Sequence, residues 1–248
     1  MSRNFELLQQ AGWDHEGFAK SLFSEAAGKP GRAIPPRHNG PRNEELVCFV
    51  RRVFVEPRRA VPKVAVFCGL RRDANSSSIC AAVTKVLAEE TQGSVCAVDA
   101  NVLAPSLHEY FDSDNRTGLT DALLQSQPAG SFAKQVSSTS HWFVANGQKK
   151  LKRQSLATMP GLSLRIRELR NQFEFVLIDA PPVTTGHDAL ALGARSDGVI
   201  LVTDSSETYA SEVRDAKHQL GTVGIGLLGI VMTQQCKGLS NVINRLFL

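Results

Sequence analysis

Tyrosine is the scarcest functional side chain here: 248 residues contain only two, Tyr110 and Tyr209, neither near the C-terminal end. Cysteine is sparse and scattered, at Cys48, Cys68, Cys80, Cys96 and Cys236, with no CxxC pair. That spacing excludes a disulfide framework and a cysteine zinc site. Three of the five lie in apolar strand or helix patterns, which predicts buried, reduced thiols. His141 and His187 have no partner pattern of a metal site, and no Ser-His-Asp order is present. No run of about 18 apolar residues and no secretory signal is found. The expected location is therefore cytoplasmic, with any place at the inner face of a membrane reached through a partner. A formal net charge of +4, held largely in local clusters, does not point to nucleic acid, and no nucleic-acid partner is expected.

What is present is ordinary for a soluble globule: 42% hydrophobic and 21% charged residues. The length suits one large α/β domain with an appendage. The organising stretch is FEFVLIDAPPVTTGHDAL, Phe173–Leu190. Its apolar run ends in Asp179, and Pro181 and Pro182 bar helix or central strand immediately beyond. A short apolar run bounded by a breaker predicts a strand buried on both faces. An acid at the carboxyl end of such a strand stands where open α/β sheets place their ligands.

Along the chain, residues 4–27 carry helical periodicity and 28–43 read as a Pro/Gly/Arg-rich linker, together a segment distinct from a domain over 44–248. A helix is expected over 44–55. Strands follow at 64–68, 95–98, 142–145, 175–178, 199–203 and 226–232, with helices at 79–90, 119–124, 162–172, 187–194 and 206–220. Strands alternating with helices at this spacing imply βαβ units and a mostly parallel sheet. KKLKR (149–153), with Arg165, Arg167 and Arg170, forms either a solvated face or a surface for an acidic partner or lipid.

In that frame several segments occur in a telling order: VCAVDANVLAPSLHEYF (95–111), GLTDALL (118–124), WFVANG (142–147), FEFVLIDAPPV (173–183), HDALALGARSDGVILVTDSSET (187–208) and LGIVMTQ (228–234). By order and spacing, about residues 44–236 resemble the bacterial tyrosine kinases of polysaccharide export, members of the deviant P-loop ATPases that include MinD and ParA proteins. The resemblance implies a P-loop NTPase-like α/β fold, a mostly parallel sheet with helices on both faces in three layers.

It also implies a nucleotide site, and there the chain departs from the pattern. A working phosphate loop needs glycines for backbone approach, a Lys for the β/γ oxygens and a hydroxyl for Mg²⁺. The family writes Pro-Gly-x-Gly-Lys-Ser-Thr; this chain has GLRRDANSSSI (69–79). Gly69 starts the stretch, Arg71, Arg72 and Asp73 follow, and Asn75 with Ser76 stands where Gly-Lys is expected. Ser77 and Ser78 keep the hydroxyl positions. Asp73 puts a carboxylate near a triphosphate, a repulsive arrangement. Asn75 tolerates the left-handed conformation that the missing glycines would supply. Arg71 and Arg72 either replace the lysine charge or are solvated loop residues.

The family's Asp-x-Asp on the second strand is here Asp99 with Asn101, and Leu103 replaces an Arg. An amide cannot accept a proton as a carboxylate does. Asp99 and Asp179, with Ser77, are candidate Mg²⁺ ligands; equally, each carboxylate could cap the turn after its strand. Thr233 aligns with an adenine-contacting Asn. The C-terminal tyrosine cluster is missing, and Tyr209 reads as ordinary packing. The ring-forming Glu-x-x-Arg-x-x-Arg helix is reduced to Glu45, Cys48 and Arg51, so a homo-oligomer by that route is in question. The resemblance thus implies a pseudokinase: no bound cofactor, and a transmembrane co-polymerase or chain-length regulator, or an active kinase paralogue, as partner. The alternative is a divergent enzyme that binds Mg-ATP or ADP through Arg71 or Arg72, and a weaker one is a DNA-partitioning ATPase relative.

Overall fold

The structure is a computed structural model that describes residues 44–57, 60–72, 75–125, 127–136, 140–149, 155–204, 209–236 and 239–247. The expected helix over 4–27, the linker over 28–43, Asp73 and most of the KKLKR run lie outside the described residues.

Hydrophobic runs form the centre. β1 (Val64–Gly69) and β5 (Phe175–Ala180) are buried at every position, as a strand covered on both faces must be. Around them lie β2 (Val95–Asp99), β3 (Lys134–Gln135), β4 (His141–Val144), β6 (Gly198–Asp204), β7 (Leu227–Cys236) and β8 (Leu239–Phe247). The sheet order is β3-β4-β2-β5-β1-β6-β7-β8. The six core strands are parallel, and β3 and β8 close the two edges antiparallel.

Alternate residues of β1 separate two apolar clusters. Ala65 and Phe67 face one that contains α1 (Glu44–Val50), which continues as a wider turn to Val55, together with α2 (Ser76–Thr91) and α3 (Leu107–Tyr110). Val64, Val66 and Cys68 face the other, built with α4 (Leu119–Leu124), α5 (Leu162–Gln172), α6 (Asp188–Gly193) and α7 (Ala210–Thr222). This is the expected three-layer α/β/α arrangement. Cys68, Cys80 and Cys96 are buried and unpaired, and burial drives the Cys68 thiol up to about 12.

Three features differ from expectation. α2 begins at Ser76 rather than Ile79, because the Ser76 and Ser77 hydroxyls donate to Asp179 on β5 and the Ser78 hydroxyl to Asn75 O. The edge strands β3 and β8 and the short α3 are additional. Helix α7 starts at Ala210, and residues 205–208 before it are outside the described set.

One glycine sets a close contact between α4 and β4. Leu119 N–H donates to Ala145 O at 2.8 Å and Thr120 N–H to Asn146 O at 2.9 Å. A Cβ on Gly118 would lie 1.8 Å from Ala145 O. Gly118→Ala is therefore expected to destabilise the fold by about 1–3 kcal/mol, the usual cost of forced overpacking. Denaturant unfolding measures it; an unchanged midpoint would contradict this packing.

Candidate functional site

Asp99 ends β2 and Asp179 is the penultimate residue of β5, register partners on adjacent parallel strands. Both are fully buried. Two carboxylates side by side and out of water cannot both ionise without compensation. Burial, then the neighbouring Asp179 charge, raises Asp99 to about 8 against hydrogen bonds from backbone N–H groups. Burial raises Asp179 to about 7, opposed by the hydroxyls of Ser77 and Ser76. The pair accordingly retains a proton at neutral pH.

Every carboxylate oxygen of the pair is engaged. Asn101 N–H donates to Asp99 Oδ1 at 3.1 Å, and Leu107 N–H to Asp99 Oδ2 at 3.1 Å. Ser76 Oγ donates to Asp179 Oδ1 at 3.1 Å and Ser77 Oγ to Oδ2 at 2.6 Å. Ser106 Oγ then donates to Ser77 Oγ at 3.0 Å, joining the loop after β2 to the first turn of α2. Asp99 thus acts as a turn cap, one of its two expected roles. Asn101 accepts from Ala104 N–H at 3.3 Å and shapes the same turn.

The loop after β1 is anchored elsewhere. Gly69 is the last residue of β1. Leu70 is buried, its N–H bonded to Val202 O at 2.8 Å, and Thr184 Oγ1 donates to Leu70 O at 2.8 Å. The Arg71 guanidinium is ion-paired with Glu212 on α7, with Nε 3.2 Å from Oε1. Arg72 is exposed. Asn75 precedes α2 at φ 55°, ψ 32°, a left-handed conformation that its side chain tolerates. Ser78 Oγ donates to Asn75 O at 2.9 Å and Ser78 is also hydrogen-bonded to the Tyr110 hydroxyl.

Of the predicted site residues, the fold brings together Ser76, Ser77, Asp99 and Asp179, while Arg71 is held by α7. Thr233 is fully buried, its hydroxyl donating to Thr203 O at 3.3 Å. Tyr209 is 62% exposed, which corrects the expectation of a packed ring: its N–H, not its phenol, is the group held, by Glu212 at 3.1 Å. Ser106, Tyr110 and Glu212 were not foreseen as neighbours of the site. Arg71 and Glu212 are 141 residues apart, and no local pattern links them. Among the described residues no group of three or more His, Cys, Asp or Glu could hold a metal. A cleft of about 310 Å³ opens beside Leu70, Arg71, Thr184, Glu212, Asp215 and Gln219.

With this geometry in view, the chain can be set against known proteins. It is 28% identical over 137 residues to the putative tyrosine-protein kinase EpsB of Ralstonia solanacearum, covering 55% of this chain and 18% of EpsB. It is 30% identical over 139 residues to the tyrosine-protein kinase YwqD of Bacillus subtilis, covering 56% of this chain and 58% of YwqD. Its relatives are bacterial tyrosine-protein kinases. The match therefore spans less than two thirds of either relative's own length. A succinoglycan biosynthesis transport protein, ExoP of Rhizobium meliloti, is 26% identical over 197 residues, 78% of this chain and 24% of ExoP.

Among solved structures, the chimerical protein CapA2B2 aligns with a TM-score of 0.71 at 23% identity, covering 80% of this chain and 86% of that one. The septum site-determining protein MinD of Pyrococcus horikoshii, complexed with Mg-ADP, aligns with a TM-score of 0.58 at 18% identity, covering 68% of each chain. Both are likenesses of fold: the P-loop NTPase-like sheet. No family model matches the chain. Among the described residues no helix is long and apolar enough to cross a membrane.

The carboxylate pair makes stability depend on pH with an unusual sign. Folded pKa values of about 8 and about 7 lie above the ordinary 3.8, so the folded state binds protons more tightly than the unfolded one. The stability contributed is full below about pH 4 and is lost as pH rises through 7 and 8, by at most about 1.4 kcal/mol per pH unit for each proton. Asp99→Asn removes the charge but turns an amide NH2 toward a backbone N–H that Asp99 accepts. It is expected to lower the melting temperature at pH 5 and to lower it less at pH 8, where the wild type has lost its proton; an equal loss at both would contradict the raised pKa values.

Proposed function

We propose that this chain is a catalytically silent relative of tyrosine kinases, acting as a binding partner in exopolysaccharide synthesis and export. The observation that carries the reading is the set of hydrogen bonds and the ion pair that engage the polar side chains around the loop after β1. Both Asp179 oxygens accept serine hydroxyls, Asp99 caps its own turn, and the nearby Arg71 is paired to Glu212. Phosphoryl transfer is catalysed almost wholly by positioning and charge stabilisation. Here the lysine, the loop glycines and the second acid of Asp-x-Asp are replaced together. An Mg²⁺ ion at Asp179 would have to displace the Ser76 and Ser77 hydroxyls, and residues 69–79 hold no lysine to meet the phosphates of a nucleotide.

The polysaccharide setting is supported by the likeness to ExoP. A transmembrane co-polymerase or chain-length regulator, or an active tyrosine kinase, is the partner this reading calls for. In that role the chain would be held at the inner face of the cell membrane by its partner, with residues 44–248 as the binding domain. Arg72 faces solvent and Ser77 remains in contact with Asp179, which leaves one competing reading: a divergent enzyme in which Arg72 supplies the lost charge.

Incubation of the purified full chain with Mg-ATP, followed by phosphotyrosine detection, separates the two. The silent reading predicts no phosphate on tyrosine in wild type, in Asp179→Ala or in an Arg71/Arg72 double substitution. Phosphorylation that Asp179→Ala abolishes would sink it.

A further inference from the structure

We propose that Asn146–Gly147 is a latent self-modification site, an asparagine-glycine junction poised to deamidate and held unreactive by Asn115. The inference stands apart from the kinase reading, because it uses only the chain's own atoms and water. An Asn followed by Gly cyclises readily, since no Cβ on the second residue hinders attack by its nitrogen. The chain has two such junctions, Asn39–Gly40 and Asn146–Gly147, and the second lies among the described residues just beyond β4.

The fold prescribes both halves of this junction. Gly147 has φ 92°, and a Cβ there would meet Asp121 Oδ2 at 2.4 Å and Thr120 Oγ1 at 2.6 Å. Only glycine suits that place. Asn146 is 4% exposed, and its Nδ2 donates to Asp99 O at 3.3 Å, beside the buried carboxylate pair. Asn146 O accepts the Thr120 N–H at 2.9 Å and the Thr120 hydroxyl at 2.8 Å. A reactive dipeptide is thus built into the joint between β4, α4 and the turn at Asp99.

Its protection is equally local. Gly147 N–H donates to Asn115 Oδ1 at 2.8 Å, so the nitrogen that would attack is engaged. Asn115 belongs to the turn after α3, where Asp112, Asp114, Arg116 and Thr117 are exposed. Exposed turns with few buried contacts open more readily than the sheet they rest on. The integrity of a buried junction therefore depends on a surface turn.

In the reaction, the Gly147 nitrogen bonds to Asn146 Cγ and gives its proton to water. The Cγ–Nδ2 bond breaks and ammonia leaves. Water then opens the succinimide at either carbonyl, which leaves aspartate or isoaspartate at position 146. Aspartate replaces the Nδ2 donor with a carboxylate oxygen facing Asp99 O. Isoaspartate takes the carbonyl held by Thr120 out of the main chain. Both products loosen the joint beside the carboxylate pair.

The test incubates the full chain at mildly alkaline pH, folded and in urea, and peptide mass spectrometry distinguishes Asn, Asp and isoAsp at position 146. Asn39 supplies the reference rate in urea. Wild type is expected to convert at Asn146 far more slowly folded than in urea. Asn115→Ala, shown to be folded by circular dichroism, is expected to convert about two- to tenfold faster than folded wild type, the change that loss of one hydrogen bond allows. Asn115→Asp keeps the acceptor oxygen and is expected to match wild type. Equal rates in Asn115→Ala and wild type, or a fast Asn115→Asp, overturn the role of Asn115. Hydrogen exchange on wild type needs no variant: the Gly147 N–H is expected to be protected, and its free exchange overturns the same role. Folded wild type converting at its urea rate overturns the proposal as a whole.

Discussion

The buried contact between Asp179 and the first turn of α2 is the constraint on which the site depends. A carboxylate taken fully out of water must be neutralised, paired with a cation or saturated with hydrogen bonds. This chain uses hydroxyls and a proton: Ser76 and Ser77 each donate to one Asp179 oxygen, and the neighbouring Asp99 shares the burden of charge. The same two hydroxyls start α2 at Ser76, and Ser106 couples that turn to the loop after β2. A cation that entered between the carboxylates would have to break these bonds and release the proton together.

The sheet explains why the contact is rigid. β1 lies between β5 and β6, so the loop that leaves it stands beside the ends of three parallel strands. Leu70 is bonded to β6 and to Thr184 after β5, and Arg71 is drawn to α7. The loop is held at three points by groups that do not require a ligand. The chain has kept the architecture of its relatives while the polar groups of the site satisfy one another.

Much of this was legible in the sequence, for identifiable reasons. The apolar runs at 64–68 and 175–178 specify central strands because no other element buries four consecutive apolar residues on both faces so simply. α5 over 162–172 and α4 over 119–124 match their expected bounds. The left-handed conformation of Asn75 agrees with the tolerance of its side chain for that region, but its place as the residue before α2 was not foreseen. What escaped was long-range: the Arg71–Glu212 pair and the Ser106–Ser77 bond join residues far apart in sequence, and their pairing is decided by topology. β8 escaped because its polar and apolar residues do not alternate cleanly.

We propose that the site at the ends of β2 and β5 is closed by its own hydrogen bonds and binds no nucleotide. Calorimetric titration of the full chain with ATP and ADP, with and without Mg²⁺ at pH 7, tests it most directly. The account predicts no saturable heat up to millimolar nucleotide under any of the four conditions. Magnesium-dependent binding in the micromolar range, about −8 kcal/mol of free energy, would contradict it and would mean that the serine and carboxylate network opens to admit a phosphate chain.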